Sequence, residues 1–306
     1  MKLFSNLNEI PASTNSLAIT LGNFDGVHLG HQALIKRLKE VGSRALVITF
    51  SNHPNEIFHK APITYLTTLP HRLALLQRLG VEELLLMPFT ELFAKQTAKE
   101  FLLSLKSSLS FNALVLGHDA RIGSDRNKDL SNLSRELSFT LEYLSPVRVQ
   151  QKIVSSSEIR KCIQRGNLEE TCELLGRPYS IFASVQHGQG KGEALGFQTA
   201  NLPVEDLTLP PFGVYAVKVA FQQTVYPAVA NLGYAPTLHQ NRPACLEVHL
   251  IDTRLNLYDQ EIEVYFHHFI RAERRFNNSV ELKAQIENDV AFAKSYFSLV
   301  DSAAMI

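Results

Sequence analysis

The chain has no tryptophan, three methionines and three cysteines in 306 residues. Cys162, Cys172 and Cys245 form no Cys-x-x-Cys pair and no cluster at zinc-ligand spacing. That excludes a disulfide-stapled scaffold and a structural zinc site, and leaves reduced, structural thiols as in a cytoplasmic protein. Net charge is also missing: 30 basic side chains balance 30 acidic ones. No whole-chain field draws the protein to nucleic acid or an anionic membrane, so neither is an expected partner. No apolar run reaches membrane-spanning length, and Met1 to Ile10 lacks the apolar core and cleavage pattern of a signal peptide. The expected location is the cytoplasm. Internal repeats and low-complexity segments are absent as well.

What is present is ordinary for a globular protein: 45% hydrophobic and 20% charged residues. The length suits two domains, each large enough for its own core. In the first half, apolar runs at 17–21, 45–49, 84–87, 113–116 and 140–144 alternate with helical patterns at 32–41, 70–79, 99–109 and 129–137. Strands separated by helices of this length predict βαβ units and a parallel sheet, with ligands bound beyond the carboxyl ends of its strands. Two short helices follow, at 158–165 and 168–175, the second stopped by Gly176-Arg177-Pro178. The expected boundary lies there, giving domains 1–178 and 179–306. Beyond it, short β-branched runs at 214–221, 225–232, 246–251 and 262–266 predict an antiparallel barrel or sandwich. A closing helix, 279–297, would dock through Leu282, Ile286, Val290, Ala293 and Phe297 after a capping box of Asn278 and Glu281.

Four motifs carry chemistry. The first, Gly22-Asn23-Phe24-Asp25-Gly26-Val27-His28-Leu29-Gly30-His31, turns from a strand into a helix. Its glycines permit close backbone approach, the helix start offers unpaired N–H groups, and His28 and His31 can donate to a phosphate that gains charge. It points to chemistry at the phosphorus of a nucleotide. The second, Ser155-Ser156-Ser157-Glu158-Ile159-Arg160, reads either as an N-cap with a solvated Arg or as a phosphate clamp of hydroxyls, helix N–H groups and guanidinium. The third runs from Gly188 through Gly190 and Gly192 to Gln198-Thr199-Ala200-Asn201. It is a glycine-rich hairpin or a phosphate loop, in which Thr199 and Asn201 would offer hard oxygens to Mg²⁺. The fourth is Glu247, opposite in phase to Leu246 and Val248. It is a solvated carboxylate or a general base for a substrate hydroxyl. Arg271, Glu273 and Arg274 read as a solvated charge cluster, and His267-His268 as ordinary surface.

Together these segments resemble the bacterial bifunctional riboflavin kinase/FMN adenylyltransferase family. The resemblance runs from about residue 16 to 297. Its carriers are GNFDGVHLGH at 22–31, TFSNHP at 49–54, GHDARIGSDR at 117–126, SSSEIR at 155–160, LLGRPY at 174–179, LGFQTANL at 195–202, ANLGYAPT at 230–237, LEVHLID at 246–252 and IRAERRF at 270–276. It implies a Rossmann-like nucleotidyltransferase domain that moves AMP from ATP onto FMN, giving FAD. It also implies a six-stranded barrel that phosphorylates riboflavin with ATP and Mg²⁺. On the first domain it assigns His28 and His31 to catalysis, and Gly22, Asn23, Phe24, Asp25, Gly30, Ser156, Ser157 and Arg160 to the nucleotide. Asp119 and Arg121 go to the flavin. On the second it assigns Gly190 and Gly192 to the nucleotide, Thr199 and Asn201 to the metal, and Glu247 as the base. The implied partners are small molecules only, and the implied state is a monomer or transient oligomer.

The chain departs from the family pattern at Gln198 (usually Pro), Glu193 (usually basic), Asp259 (usually Gly), Ala235, Ala120, Ile122 and Lys128. These changes motivate two alternatives: a monofunctional FMN adenylyltransferase with a degenerate kinase module, or a non-catalytic flavin-binding protein.

Overall fold

The computed structural model describes residues 1–12, 16–58, 64–127, 129–188, 196–234 and 244–303. Two compact units partition the chain. One comprises Met1–Thr64 and Arg72–Ser156, the other Tyr65–His71 and Ser157–Ile306. No helix among the described residues is long and apolar enough to cross a membrane.

The first unit contains β1 (Lys2–Phe4), β2 (Leu17–Leu21), α1 (Leu29–Val41), β3 (Arg44–Phe50), α2 (Pro54–Ile57), most of α3 (Leu69–Arg78), β4 (Glu83–Met87), α4 (Glu91–Lys95), α5 (Ala98–Ser108), β5 (Phe111–Gly117), α6 (Ser131–Glu136) and β6 (Thr140–Leu144). Its six strands are all parallel, in the order β1-β4-β3-β2-β5-β6. Helices cover both faces, which is why β2 is buried from Leu17 to Thr20 rather than alternating. Phe101, Leu102 and Leu105 of α5 pack on one face with Ile19, Leu46 and Leu114. Leu34, Ile35 and Leu38 of α1, with Leu75 and Leu76 of α3, pack on the other. Successive strands run outward from β2 to β3 and β4, whereas β5 lies on the opposite side of β2. The turn after β2 therefore opens at the switch point of the sheet, the position where open α/β sheets hold ligands.

A two-stranded ribbon, β7 (Arg148–Val149) and β8 (Lys152–Ile153), precedes α7 (Ser156–Gln164) and α8 (Leu168–Leu175). Asn167 caps α8, and Gly176 ends it at φ +71°, the left-handed C-cap that the glycine predicted.

The second unit adds β9 (Ser180–Ser184), β10 (Ala200–Pro203), β11 (Gly213–Phe221), β12 (Thr224–Tyr234), β13 (Ala244–Leu250), β14 (Glu261–Ala272) and α9 (Ser279–Ala303). These strands form an antiparallel sheet in the order β10-β13-β12-β11-β14-β9. A bridge between Gln186, just past β9, and Asn201 of β10 brings the ends together into a nearly closed barrel. Tyr215, Val217, Ala230, Leu246, Val248 and Phe266 are fully buried. The opposite face of β11 and β12 is covered by α9. Ala293 and Phe297 pack there on Val214, Ala216 and Val229, with Val290 beside them. Leu282 and Ile286 are only half-buried, and Asn278 caps the helix alone: Glu281 turns back to Asn277, one residue earlier than a capping box requires.

Two residues depart from the sequence reading. Arg271 is not part of a solvated cluster. Its guanidinium meets Asp289 of α9 at 2.7 Å, and Asp289 is 3% exposed. Nor is His268 ordinary surface: its ring stacks on Phe292 and Tyr296 of α9. Within the second unit, segment 65–71 also lies along the barrel chain. Tyr65 pairs its backbone with Asp206 and Thr208, and His71 Nε2 contacts the buried Glu263 carboxylate at 2.9 Å. Ser180 donates to the same carboxylate at 2.8 Å.

Candidate active sites

The first site grows out of the turn between β2 and α1. Its glycines serve differently from expectation. Positive φ falls on Phe24 (53°) and Val27 (42°) as well as on Gly26 (81°). A β-branched residue in this region is strained, and such strain persists only where the surroundings impose it. Here they do. Phe24 and Val27 are fully buried in the core. Arg72, itself 2% exposed, donates to the Asn23 carbonyl at 2.7 Å, to Asn23 Oδ1 at 2.9 Å and to the Phe50 carbonyl at 2.6 Å. Gln32 Nε2 donates to the Val27 carbonyl, and Ser156 Oγ to the Asp25 carbonyl. Gly30 leaves room for the His28 ring: a Cβ there would stand 3.1 Å from it, a tight contact.

His28 is the N-cap of α1, accepting from the His31 N–H through Nδ1 at 3.3 Å. Its ring proton therefore sits on Nε2. The two imidazoles stack with centroids 3.6 Å apart and planes 14° from parallel. Burial, then His28, then Arg72 hold the His31 pKa well below the usual histidine range, so this ring is neutral at pH 7. His31 Nδ1 is buried and has no hydrogen-bond partner. An orphaned polar atom at a helix N-terminus, beside a second imidazole, is what a bound phosphate oxygen would satisfy.

Of the other predicted residues, Gly22 follows β2 directly and donates to the Ile48 carbonyl. Asn23 is engaged by Arg72, and the Phe24 ring lies in the core, so both shape the loop. Asp25 is 2% exposed. Ser156 opens α7 and joins this loop, whereas Ser157, the next residue, and Arg160, about one turn further along α7, belong to the second unit. Asp119 and Arg121 are exposed in the turn after β5, while Ile122 between them and Asn127 is core. Sequence reading missed Arg72. It shares a helix face with Leu75 and Leu76, three and four residues on, and a charge on an apolar face was the available signal.

The second site lies on the outer face of the barrel. Glu247 of β13 is half-buried and pairs across the sheet with Asn201 of β10 on one side and Asn231 of β12 on the other. Directly opposite residues share a face, so the three polar side chains form one row. Asn231 also donates to Glu273 at 3.3 Å. The Asn201 amide crowds Gly188 so closely that a Cβ there would overlap it. Thr199 borders a pocket with Gln198, Val185, Leu250, Leu257 and Tyr258. Asp259 takes the left-handed conformation, φ +60°, in the turn beside that pocket. Burial, then the Glu247 charge, pushes the Cys245 thiol up to about 11, so this free cysteine is an unreactive neighbour of the row. Gly190, Gly192, Glu193, Ala235 and Lys128 lie outside the described residues.

The oxygens of Thr199 and Asn201 are hard donors of the kind Mg²⁺ prefers. They are too few to enclose it without water and substrate phosphates, which is the usual arrangement for this ion. The residues fit the metal.

Comparison with known proteins places both halves of the chain in enzyme families. Residues 10–158 match the FAD synthetase family, and residues 175–297 the riboflavin kinase family. A bifunctional riboflavin kinase/FMN adenylyltransferase from Buchnera aphidicola is 34% identical, covering 98% of this chain and 100% of the relative. One from Escherichia coli K12 is 36% identical, covering 99% and 100%. A solved structure named as a macrolide-efflux protein from Streptococcus pneumoniae superposes with a TM-score of 0.82 at 29% identity, covering 96% of this chain and 98% of that one. With both family matches in the expected order and relatives alike over their full length, the chain belongs to the bifunctional riboflavin kinase/FMN adenylyltransferase family.

Proposed function

We propose that the chain converts riboflavin to FMN and FMN to FAD at two separate sites, the second step residing in residues 1–178 and the first in residues 179–306. The observation that carries this reading is the presence, in different compact units, of two arrangements with different chemistry. One has stacked imidazoles at a helix N-terminus. The other has a carboxylate between two asparagines.

In the first arrangement an FMN phosphate oxygen attacks the α-phosphorus of ATP, and pyrophosphate leaves. The attacking oxygen is already an anion, so no base is needed. His28 and His31 donate to phosphate oxygens as charge builds on them, the role to which fixed donors are suited. Backbone N–H groups from 22–30 and the Ser156 hydroxyl orient the nucleotide. Asp119 and Arg121 face the flavin. In the second arrangement Glu247 takes the proton from the ribityl hydroxyl, whose oxygen bonds to the γ-phosphorus as ADP leaves. Thr199 and Asn201 would hold Mg²⁺, which when bound neutralises phosphate charge, and Gly190 and Gly192 would line the phosphates. The enzyme works in the cytoplasm as a monomer or transient oligomer.

Product analysis tests this. Purified protein with ATP and Mg²⁺ is expected to yield FMN and then FAD from riboflavin, and FAD from FMN. FAD from FMN with nothing from riboflavin would overturn the kinase assignment in favour of a degenerate second module. Flavin binding without product would overturn both.

A further inference from the structure

We propose that His249 is a positioning residue for riboflavin phosphorylation, fixing the peptide that carries Thr199. This rests on the assignment of Thr199 and Asn201 to the nucleotide–metal site. Residues 196–199 lead into β10 with no ladder partner of their own, and Gly196 enters at φ +90°. From Ala200 onward the chain is locked: Ala200 pairs with Val248, Asn201 pairs with Glu247, and the Asn201 carbonyl accepts from Gln186. Among the described residues the backbone just upstream of Thr199 has no comparable support, and Gln198 lacks the ring that would restrict its φ.

His249 supplies the missing support. Its Nδ1 lies 2.9 Å from the Gln198 carbonyl oxygen, and its ring meets Phe197 edge to face at 5.1 Å. Because the carbonyl can only accept, Nδ1 carries the proton. With Gln198 tied on one side and Ala200 paired on the other, the backbone that carries the Thr199 hydroxyl is fixed at both ends. His249 follows Glu247 by two residues on β13, so both side chains leave the same face. One strand thus places the base directly and the metal-side hydroxyl through a tether, coupling the two halves of the site.

The test uses the full chain with His249→Ala, His249→Asn and Thr199→Ala, measuring kcat and KM for ATP at graded Mg²⁺ with riboflavin. FMN adenylylation and thermal unfolding of the same samples report folding. The Asn amide can donate to the same carbonyl. Expected is a rise in KM for MgATP of about fivefold to tenfold in His249→Ala, the worth of one net hydrogen bond, and near wild-type values in His249→Asn. A wild-type KM and Mg²⁺ dependence in His249→Ala would overturn the tether. So would equal impairment of both variants, which would mean ring packing alone matters. If the alanine variant fails to fold, a folded asparagine variant with raised KM overturns the proposal and one with wild-type KM supports it. Unimpaired Thr199→Ala would instead refute the site assignment beneath it, whereas impaired Thr199→Ala with normal His249→Ala refutes the tether alone.

Discussion

Arg72→Met is expected to cripple FAD formation without removing any group assigned to phosphate. Arg72 is buried and makes three bonds of 2.6–2.9 Å, two to the Asn23 residue and one to the Phe50 carbonyl. Methionine keeps much of the volume but none of the donors. Charge-assisted bonds are each worth about 1.5–3 kcal/mol, and desolvation of the guanidinium offsets part of that sum, leaving a net loss of about 3 kcal/mol. The larger consequence is geometric. Phe24 and Val27 hold strained positive φ, and with Asn23 released the loop relaxes toward ordinary φ, moving the His28 cap. A displacement of about 1 Å at a reacting group costs about 100-fold in rate. The assay is chromatographic rate measurement of FAD from FMN, with FMN from riboflavin as the internal control and thermal unfolding alongside. A variant that unfolds as wild type does and forms FAD within about fivefold of the wild-type rate would refute this account of the loop.

Three further outcomes follow from the same structure. Burial holds His31 neutral in the folded state, so below about pH 6.5 the unfolded chain binds more protons and stability falls as pH falls; His31→Gln is expected to flatten the melting temperature against pH over that range. Asp289→Asn should cost about 3 kcal/mol by leaving the Arg271 guanidinium without its buried partner, read as a lower urea midpoint for loss of riboflavin phosphorylation. Gly188→Ala should push the Asn201 amide aside and lower riboflavin phosphorylation by about 10- to 100-fold while FAD continues to form from FMN.

Much of the fold was legible because burial on both faces leaves nearly continuous apolar runs. Leu17–Leu21 has the bounds its run predicts, and Leu168–Leu175 those set by its cap and stop signals; the edge strand Thr140–Leu144 also has its predicted bounds, although it is only partly buried and carries Glu142. Short elements without such a run were not legible. β1 has three residues, β10 ends in Pro203, and β9 follows Pro178 with two serines among its five residues; each is held by its neighbours in the sheet rather than by its own pattern. Glu247 was correctly phased because Leu246 and Val248 flank it, but its asparagine neighbours come from strands 46 and 16 residues away and appear only through register.

Charges were the harder case. Arg72 and Asp289 both lie on apolar helix faces, where a solvated side chain does not belong. Glu263 on β14 lies between the buried Ile262 and Val264 and is itself 1% exposed, covered by His71 and Ser180. In each instance the partner is distant in sequence, so the sequence signals a buried charge without naming what neutralises it. The glycines of the first motif carry the complementary lesson: the strained backbone positions included Phe24 and Val27, whose conformation the surrounding core and Arg72 impose.

The central claim is that two independent sites perform the two steps. It is tested most directly by assaying His28→Ala/His31→Ala and Glu247→Gln, each as folded full-length protein, for FMN from riboflavin and FAD from FMN. The account predicts reciprocal losses: the histidine variant still makes FMN but no FAD, and the Glu247 variant makes FAD from FMN but no FMN from riboflavin. Loss of both activities in either folded variant would contradict it.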